Sequence, residues 1–204
     1  MRGKVLDVGA GCGIVGLLLA RDFPNISLEA VEKQEKFVEY AKKNAKENGI
    51  EYTIYMQDFL SMPEQTRYDY ILSNPPFYHD GVQKSKDEML FHARYNVHLP
   101  IEPFFKKVAK MLSARGFFIF CYDASQLPLV ASALEKAKLR MLNVRFVHPK
   151  REKKASLVLI RARKESKSMT EVQTPLFVFE GDSFTPEVEK IYAKAATESI
   201  KCEL

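Results

Sequence analysis

The feature that most constrains this chain is a short apolar run ending in alternating glycines: Val5-Leu6-Asp7-Val8, then Gly9-Ala10-Gly11-Cys12-Gly13. An apolar run of this length, stopped by glycines, reads as a buried parallel strand. Glycines directly after it let the backbone turn tightly and approach a ligand that a side chain would exclude. Ile14 to Asp22 then reads as a buried helix ended by Pro24. A strand, a glycine turn and a helix in this order open an α/β sheet, and the loop taken alone is a hint of a nucleotide site.

The rest of the chain continues the alternation. Further strands are expected over Ile26 to Val31, Glu51 to Met56, Tyr68 to Ser73 and Gly116 to Tyr122. Helices are expected over Lys33 to Asn48, Glu102 to Leu112 and Ser125 to Lys138. Arg140 to His148 and Ala155 to Arg163 form a strand pair across the basic turn Pro149-Lys150-Arg151-Glu152-Lys153-Lys154. This predicts a Rossmann-like, doubly wound, seven-stranded and mostly parallel sheet, with an antiparallel strand at its edge. Residues 1–164 read as one catalytic domain. Glu165 to Gln173 is linker-like and leads to a tail (residues 165–204) with a short strand, Leu176 to Phe179, and a helix from Pro186. The tail is expected to pack on the same domain.

Composition sets limits. The 204 residues suffice for one core, and 46% hydrophobic with 28% charged residues excludes a disordered or collagen-like chain. No stretch is long and apolar enough to span a membrane. Asp7 and the glycines also break the apolar run near Met1, which argues against a signal peptide. Cys12, Cys121 and Cys202 are widely spaced, so no disulfide framework or zinc site is expected and the cytoplasm is the expected compartment. Between Leu139 and Ser168, ten Lys/Arg face two Asp/Glu, a surplus of +8 in a chain of net +5. Such a stripe suits RNA or DNA, and it equally suits a solvated basic face.

Four signals carry chemistry. Gly11-Cys12-Gly13-Ile14-Val15-Gly16 matches a dinucleotide fingerprint, but in that register Gly9-Ala10 is an unexplained insertion. Asp7, two residues before Gly9, the first of the three alternating glycines Gly9, Gly11 and Gly13, instead suits a positively charged ligand. Glu32, about twenty residues on, can accept from ribose hydroxyls of either NAD or S-adenosylmethionine, or it can cap the next helix. Asp58 could accept from an adenine amino group while Phe59 covers the ring. Asn74-Pro75-Pro76-Phe77 follows the fourth strand, beside the first, where ligands bind in such sheets. The Asn74 amide oxygen and a proline-fixed carbonyl at Pro75 can grip the two hydrogens of one planar amino group. Phe77 offers a stacking face, and Asn-Pro is also a common turn starter.

Together, DVGAGCG, Glu32, Asp58 and NPPF resemble the class I S-adenosylmethionine-dependent amino methyltransferases. SNPPFYHDG, His92-Ala93-Arg94-Tyr95 and the tail Phe179-Glu180-Gly181 with Phe184-Thr185-Pro186-Glu187 narrow this. They are similar to the bacterial valine tRNA adenine-N6 methyltransferases, which modify the adenine next to the anticodon. That family usually carries a segment before the first strand, whereas here Met1 stands almost on it.

The resemblance implies methyl transfer from S-adenosylmethionine to adenine N6 in RNA, without a metal. Asn74, Pro75, Pro76 and Phe77 would be catalytic. Asp7, Gly9, Gly11, Gly13, Glu32, Asp58 and Phe59 would hold the cofactor. Phe77, Tyr78, Lys150, Arg151, Lys153 and Lys154 would contact RNA. No histidine is needed as base, which leaves His79, His92, His98 and His148 to loops, packing or phosphate. The alternatives are a ribosomal RNA guanine-N2 methyltransferase, a protein glutamine methyltransferase, an NAD-dependent oxidoreductase and an inactive RNA-binding module.

Overall fold

The computed structural model describes residues 1–75 and 100–198. Its first half alternates β1 (Gly3–Val8), α1 (Ile14–Asp22), β2 (Ile26–Glu32), α2 (Glu35–Glu47), β3 (Thr53–Met56) and β4 (Tyr68–Ser73). Next come α3 (Ile101–Met111), β5 (Leu112–Asp123), α4 (Leu127–Lys136), β6 (Leu139–His148) and β7 (Leu157–Lys164). The tail holds four two-residue strands, β8 (Glu171–Val172), β9 (Leu176–Phe177), β10 (Phe179–Glu180) and β11 (Ser183–Phe184), then α5 (Pro186–Ala195).

The main sheet runs β3-β2-β1-β4-β5-β7-β6, with β8 and β9 both paired to β6, so it has nine strands. The seven strands expected from the sequence are all present. The other two are pieces of the tail: β9 is the first half of the short strand expected over Leu176 to Phe179, and β8 is too short to carry a periodic signal. Strands β1 to β5 pair in parallel, while β7 runs antiparallel to both β5 and β6. The antiparallel strand therefore lies inside the sheet, and β6 outside it points the same way as β1. β5 is also longer than expected. Ser113-Ala114-Arg115, between the expected helix and strand, continues as strand directly from the end of α3.

The larger core cluster is aromatic. α3 places Phe104, Phe105, Val108 and Met111 against Phe118 and Phe120 of β5, all essentially inaccessible. The Phe118 and Phe120 rings stack at 4.3 Å, and Phe105 meets them edge-on at 5.4 and 5.1 Å. Each such ring contributes about 1.5–3 kcal/mol by burial, before any gain from ring geometry. A second cluster joins Val5, Leu28 and Leu72, with Leu19 and Ala20 of α1 packed against it. α1 lies close to the strands at Gly16, where a Cβ would come within 3.0 Å of the Asp7 carboxylate.

The tail is tied down at several points. β10 and β11 form a hairpin with Phe179 and Phe184 stacked at 5.0 Å. Thr185 caps α5, and Glu187 in its first turn pairs with Arg145 of β6 at 2.6 Å. At the other end of α5, Arg21 of α1 donates to the Lys194 and Ala195 carbonyls, at 3.0 and 2.6 Å.

Candidate functional site

β1 to β4 end at one rim, where a cavity of about 320 Å³ opens. Asp7, Gly9, Gly11, Glu32, Asp58, Phe59 and Asn74 all line it. Residues separated by up to 67 positions in sequence thus share one wall because their strands are parallel neighbours. A volume of this size falls in the range of small-molecule sites.

The glycine loop is shaped by its carboxylates. Gly11 has φ 55° and donates its N–H to Glu32 Oε2 at 3.0 Å. Glu32 Oε1 accepts from the Lys33 and Gln34 N–H groups, both at 2.9 Å. Glu32 therefore braces the glycine loop and the approach to α2 as well as facing the cavity. Asp7, 3% exposed, accepts from the Gly16 N–H in the first turn of α1 at 3.0 Å. Burial pushes its pKa up to about 7; the Gly16 hydrogen bond pulls it down and the Glu32 charge pushes it further up. A Cβ built at Gly9 or Gly11 meets nothing within 4 Å and would project into open space. Gly13 is placed differently. It is the N-cap of α1, and a Cβ there would face Ala41 and the Tyr52 hydroxyl rather than the cavity.

Asp58 ends the segment after β3 and caps a 3-10 turn, Phe59–Ser61, by accepting from the Leu60 N–H at 2.7 Å. Phe59 is 4% exposed and packs edge-on against Phe104 at 5.5 Å. Its ring is mainly core and only reaches the cavity wall. Asn74 follows β4 directly and is exposed, while Pro75 is buried and does not line the cavity. The Ser73 hydroxyl donates to the Val8 carbonyl at 2.9 Å, which locks the end of β4 to the end of β1. Pro76, Phe77 and Tyr78, and with them His79, His92 and His98, lie outside the described residues.

Sequence reasoning missed three groups here. Asn44 of α2 donates to the Cys12 carbonyl at 2.9 Å and so anchors the glycine loop. Cys121 of β5 donates its thiol to Asn74 Oδ1 at 2.7 Å; burial pushes that thiol up to about 11, so it stays protonated. Lys107 is buried beneath the Asp58 segment. Only Lys107 had a sequence signal, because it falls three residues after Phe104 and four before Met111 on the apolar stripe.

The basic turn lies beyond the same rim. Leu157 pairs with both Asp123 and Val147, so the turn extends past the carboxyl ends of β5 and β6. It lies two to three strands from Asn74, roughly 10–15 Å across the sheet at ordinary strand spacing. Lys150 approaches Asp182 at 3.8 Å, and Arg151 sits over the Phe177 ring at 4.8 Å. Lys153 and Lys154 are exposed. His148 closes the turn through Nδ1 and the Lys153 carbonyl at 2.9 Å.

The cavity chemistry favours one class of nucleotide ligand. Three amides that could help to cradle a pyrophosphate are already engaged: Gly11 to Glu32, Gly16 to Asp7, and Gly13 to the Ala10 carbonyl. Three carboxylates line a wall suited to hydroxyls, an amine and a positive charge, and ill suited to phosphates. S-Adenosylmethionine offers those groups, so the residues present fit it. Among the described residues, no group of three or more His, Cys, Asp or Glu could hold a metal ion, and no helix is long and apolar enough to cross a membrane.

The sheet order and this rim cavity define a class I methyltransferase of the S-adenosylmethionine-dependent kind. A family model described as Methyltransferase small domain matches residues 1–100. The chain is 33% identical over 147 residues to the tRNA1(Val) (adenine(37)-N6)-methyltransferase of Bacteroides thetaiotaomicron, covering 69% of this chain and 62% of that protein. It is 41% identical over 86 residues to the ribosomal RNA small subunit methyltransferase C of Escherichia coli, covering 42% of this chain and 24% of that one. The chain thus spans less than two thirds of each relative. In fold it is similar to an Agrobacterium tumefaciens protein described as a predicted O-methyltransferase, with TM-score 0.72, 17% identity, and 98% and 92% of the two chains covered.

Proposed function

We propose that this chain methylates the exocyclic N6 of an adenine in RNA, with the tRNA adenine next to the anticodon as the target. Asn74 carries the reading. It stands at the carboxyl end of β4, on the wall of the cavity that Glu32 and Asp58 also line. The relatives' names support RNA as the substrate. Residues 1–164 form the catalytic unit in this reading, the tail braces it, and the cytoplasm is where it would work.

The chemistry asks little of the protein in bond-making. When bound, S-adenosylmethionine supplies a methyl group already activated by its sulfonium. The difficulty lies in the adenine amine, whose lone pair is delocalised into the ring. Asn74 Oδ1, on the cavity wall, accepts one of its hydrogens, which turns the lone pair toward the methyl group and stabilises charge developing on nitrogen, while the buried Pro75 fixes the backbone behind it. Glu32 holds the ribose hydroxyls and Asp58 the cofactor's adenine amino group. Fixing both reactants in line supplies up to ~7–11 kcal/mol of the barrier reduction. An anticodon loop presents an unpaired base at low cost. The methylated amine then releases its proton without a dedicated base.

A second reading, guanine N2 in ribosomal RNA, is favoured by the match to the small subunit methyltransferase C. The same Asn74 acceptor would grip that amine. Nucleoside analysis separates the two readings. The chain is incubated with methyl-labelled S-adenosylmethionine and either valine tRNA or small-subunit ribosomal RNA, and the RNA is digested. Label in N6-methyladenosine from the tRNA is expected. Label in N2-methylguanosine establishes the second reading, and no label in either RNA overturns both.

A further inference from the structure

α3 carries a buried cation that the reaction does not use. Lys107 is 8% exposed, although lysine is among the residues least often buried. Its Nζ donates to the Leu60 carbonyl at 2.6 Å and to the Met62 carbonyl. It also lies 5.8 Å from the centroid of the Phe59 ring. Leu60 is thereby held at both ends, its carbonyl by Lys107 and its N–H by Asp58 Oδ1 at 2.7 Å. Phe59 in turn is wedged between Phe104 and Lys107, two positions on the same face of α3.

We propose that Lys107 is a positioning residue for cofactor recognition: through Leu60 it fixes the Asp58 carboxylate so that its second oxygen can read the amino group of the cofactor's adenine. Two carbonyls of a tight turn point into the core, where nothing but a buried donor can satisfy them. A lysine stem reaches that far while its methylenes pack among the phenylalanines. An apolar residue at this position would leave both carbonyls unpaired, and the turn would have to open to water. Asp58 would lose its Leu60 anchor with it. Lys107 touches neither substrate nor cofactor. It acts through one residue.

The inference rests on the assignment of Asp58 to the adenine amino group, and the test keeps the two apart. Calorimetry compares S-adenosylhomocysteine with S-inosylhomocysteine, which has an oxygen in place of the adenine amino group. The full chain is expected to prefer the adenosyl compound by about tenfold, the value of one hydrogen bond to a charged acceptor. Lys107→Gln, whose amide nitrogen is one bond closer to the backbone and uncharged, should lose most of that preference while binding S-inosylhomocysteine within about twofold of the parent. Lys107→Arg, which can reach both carbonyls, should retain it and serves as the second variant if Lys107→Gln does not fold. Loss of affinity for both compounds by the same factor would reduce Lys107 to a structural residue and overturn the inference, as would an unchanged preference in Lys107→Gln. Failure of the parent chain to discriminate would remove the Asp58 assignment and the inference together.

Discussion

The carboxyl ends of β1 to β4 and the β6–β7 hairpin use charge in opposite ways. At the strand ends, three acids face one cavity, and two of them also hold the loop that shapes it. On the hairpin side, most of the basic stripe is spent inside the molecule. Arg140 and Arg145 donate to the Ser168 and Thr174 carbonyls of the tail. Arg161 and Arg163 lie over Phe117, and Lys164 donates to the Leu112 carbonyl. Lys150 and Arg151 engage Asp182 and Phe177. Among the described residues only Lys153, Lys154 and Lys167 of the ten lack such a partner. A surplus of +8 counts charges and does not say where they point, whereas an acid at the end of a parallel strand has its direction fixed by the sheet.

The sharpest break of this comparison is at Asn74. Asn74→Ala should lower methyl transfer by about 10²–10³-fold, the cost of removing a transition-state hydrogen-bond partner. Its affinity for S-adenosylmethionine should stay within about twofold of the parent, since the side chain is assigned to the substrate side of the methyl group. Single-turnover rates and calorimetry measure the two effects separately. A variant keeping most of its rate would remove Asn74 from catalysis.

Glu32→Ala should weaken S-adenosylmethionine binding by about 10–100-fold, from loss of a charge-assisted partner worth ~1.5–3 kcal/mol. It also frees the Gly11, Lys33 and Gln34 amides, so the melting temperature should fall. Glu32→Gln, which keeps one acceptor oxygen, should recover part of both. Equal binding in all three proteins would reduce Glu32 to a helix-approach brace.

Asp7 gives the comparison a pH axis. The folded chain holds the Asp7 proton up to about 7, while the unfolded chain releases it near 3.8. This contribution to stability without cofactor is therefore full below pH 3.8 and is lost as pH rises through about 7. The slope is at most about 1.4 kcal/mol per pH unit. A bound cation has the opposite preference. Affinity for S-adenosylmethionine should climb as pH rises to about 7 and then level off, with a weaker rise for S-adenosylhomocysteine, which lacks the sulfonium charge. Asp7→Asn should flatten both profiles, and persistent slopes in that variant would assign them to another group.

The smallest effect is expected at the basic turn. Reversing Lys153 and Lys154 should weaken RNA binding a few-fold, about equally for cognate and non-cognate RNA, with a shallower salt dependence. Reversing Lys150 and Arg151 as well should also loosen the tail, visible as faster proteolysis there. Filter binding at two salt concentrations reads the first effect, and unchanged affinity would leave the turn as a soluble face.

How much of this was legible in the sequence depended on how local the cause was. α1 was readable to the residue because its glycine start and its stop near Pro24 are local. Asp7, Glu32, Asp58 and Asn74 were readable as one set because each lies within two residues of the carboxyl end of a strand. The position of β7 between β5 and β6 was not, since pairing order is a tertiary choice. Nor was β8, whose two-residue length carries no period. Gly13 was grouped with Gly9 and Gly11 by spacing, but the helix start turned it toward α2. Lys107 was passed over because a lysine on a helix reads as solvated until its face is drawn.

The acids at these strand ends suit a cationic nucleoside and disfavour a pyrophosphate. Calorimetric titration of the full chain with S-adenosylmethionine and, separately, with NAD tests it most directly. Saturable binding of S-adenosylmethionine, with NAD weaker or absent, is the expected result. Tighter binding of NAD would contradict the account.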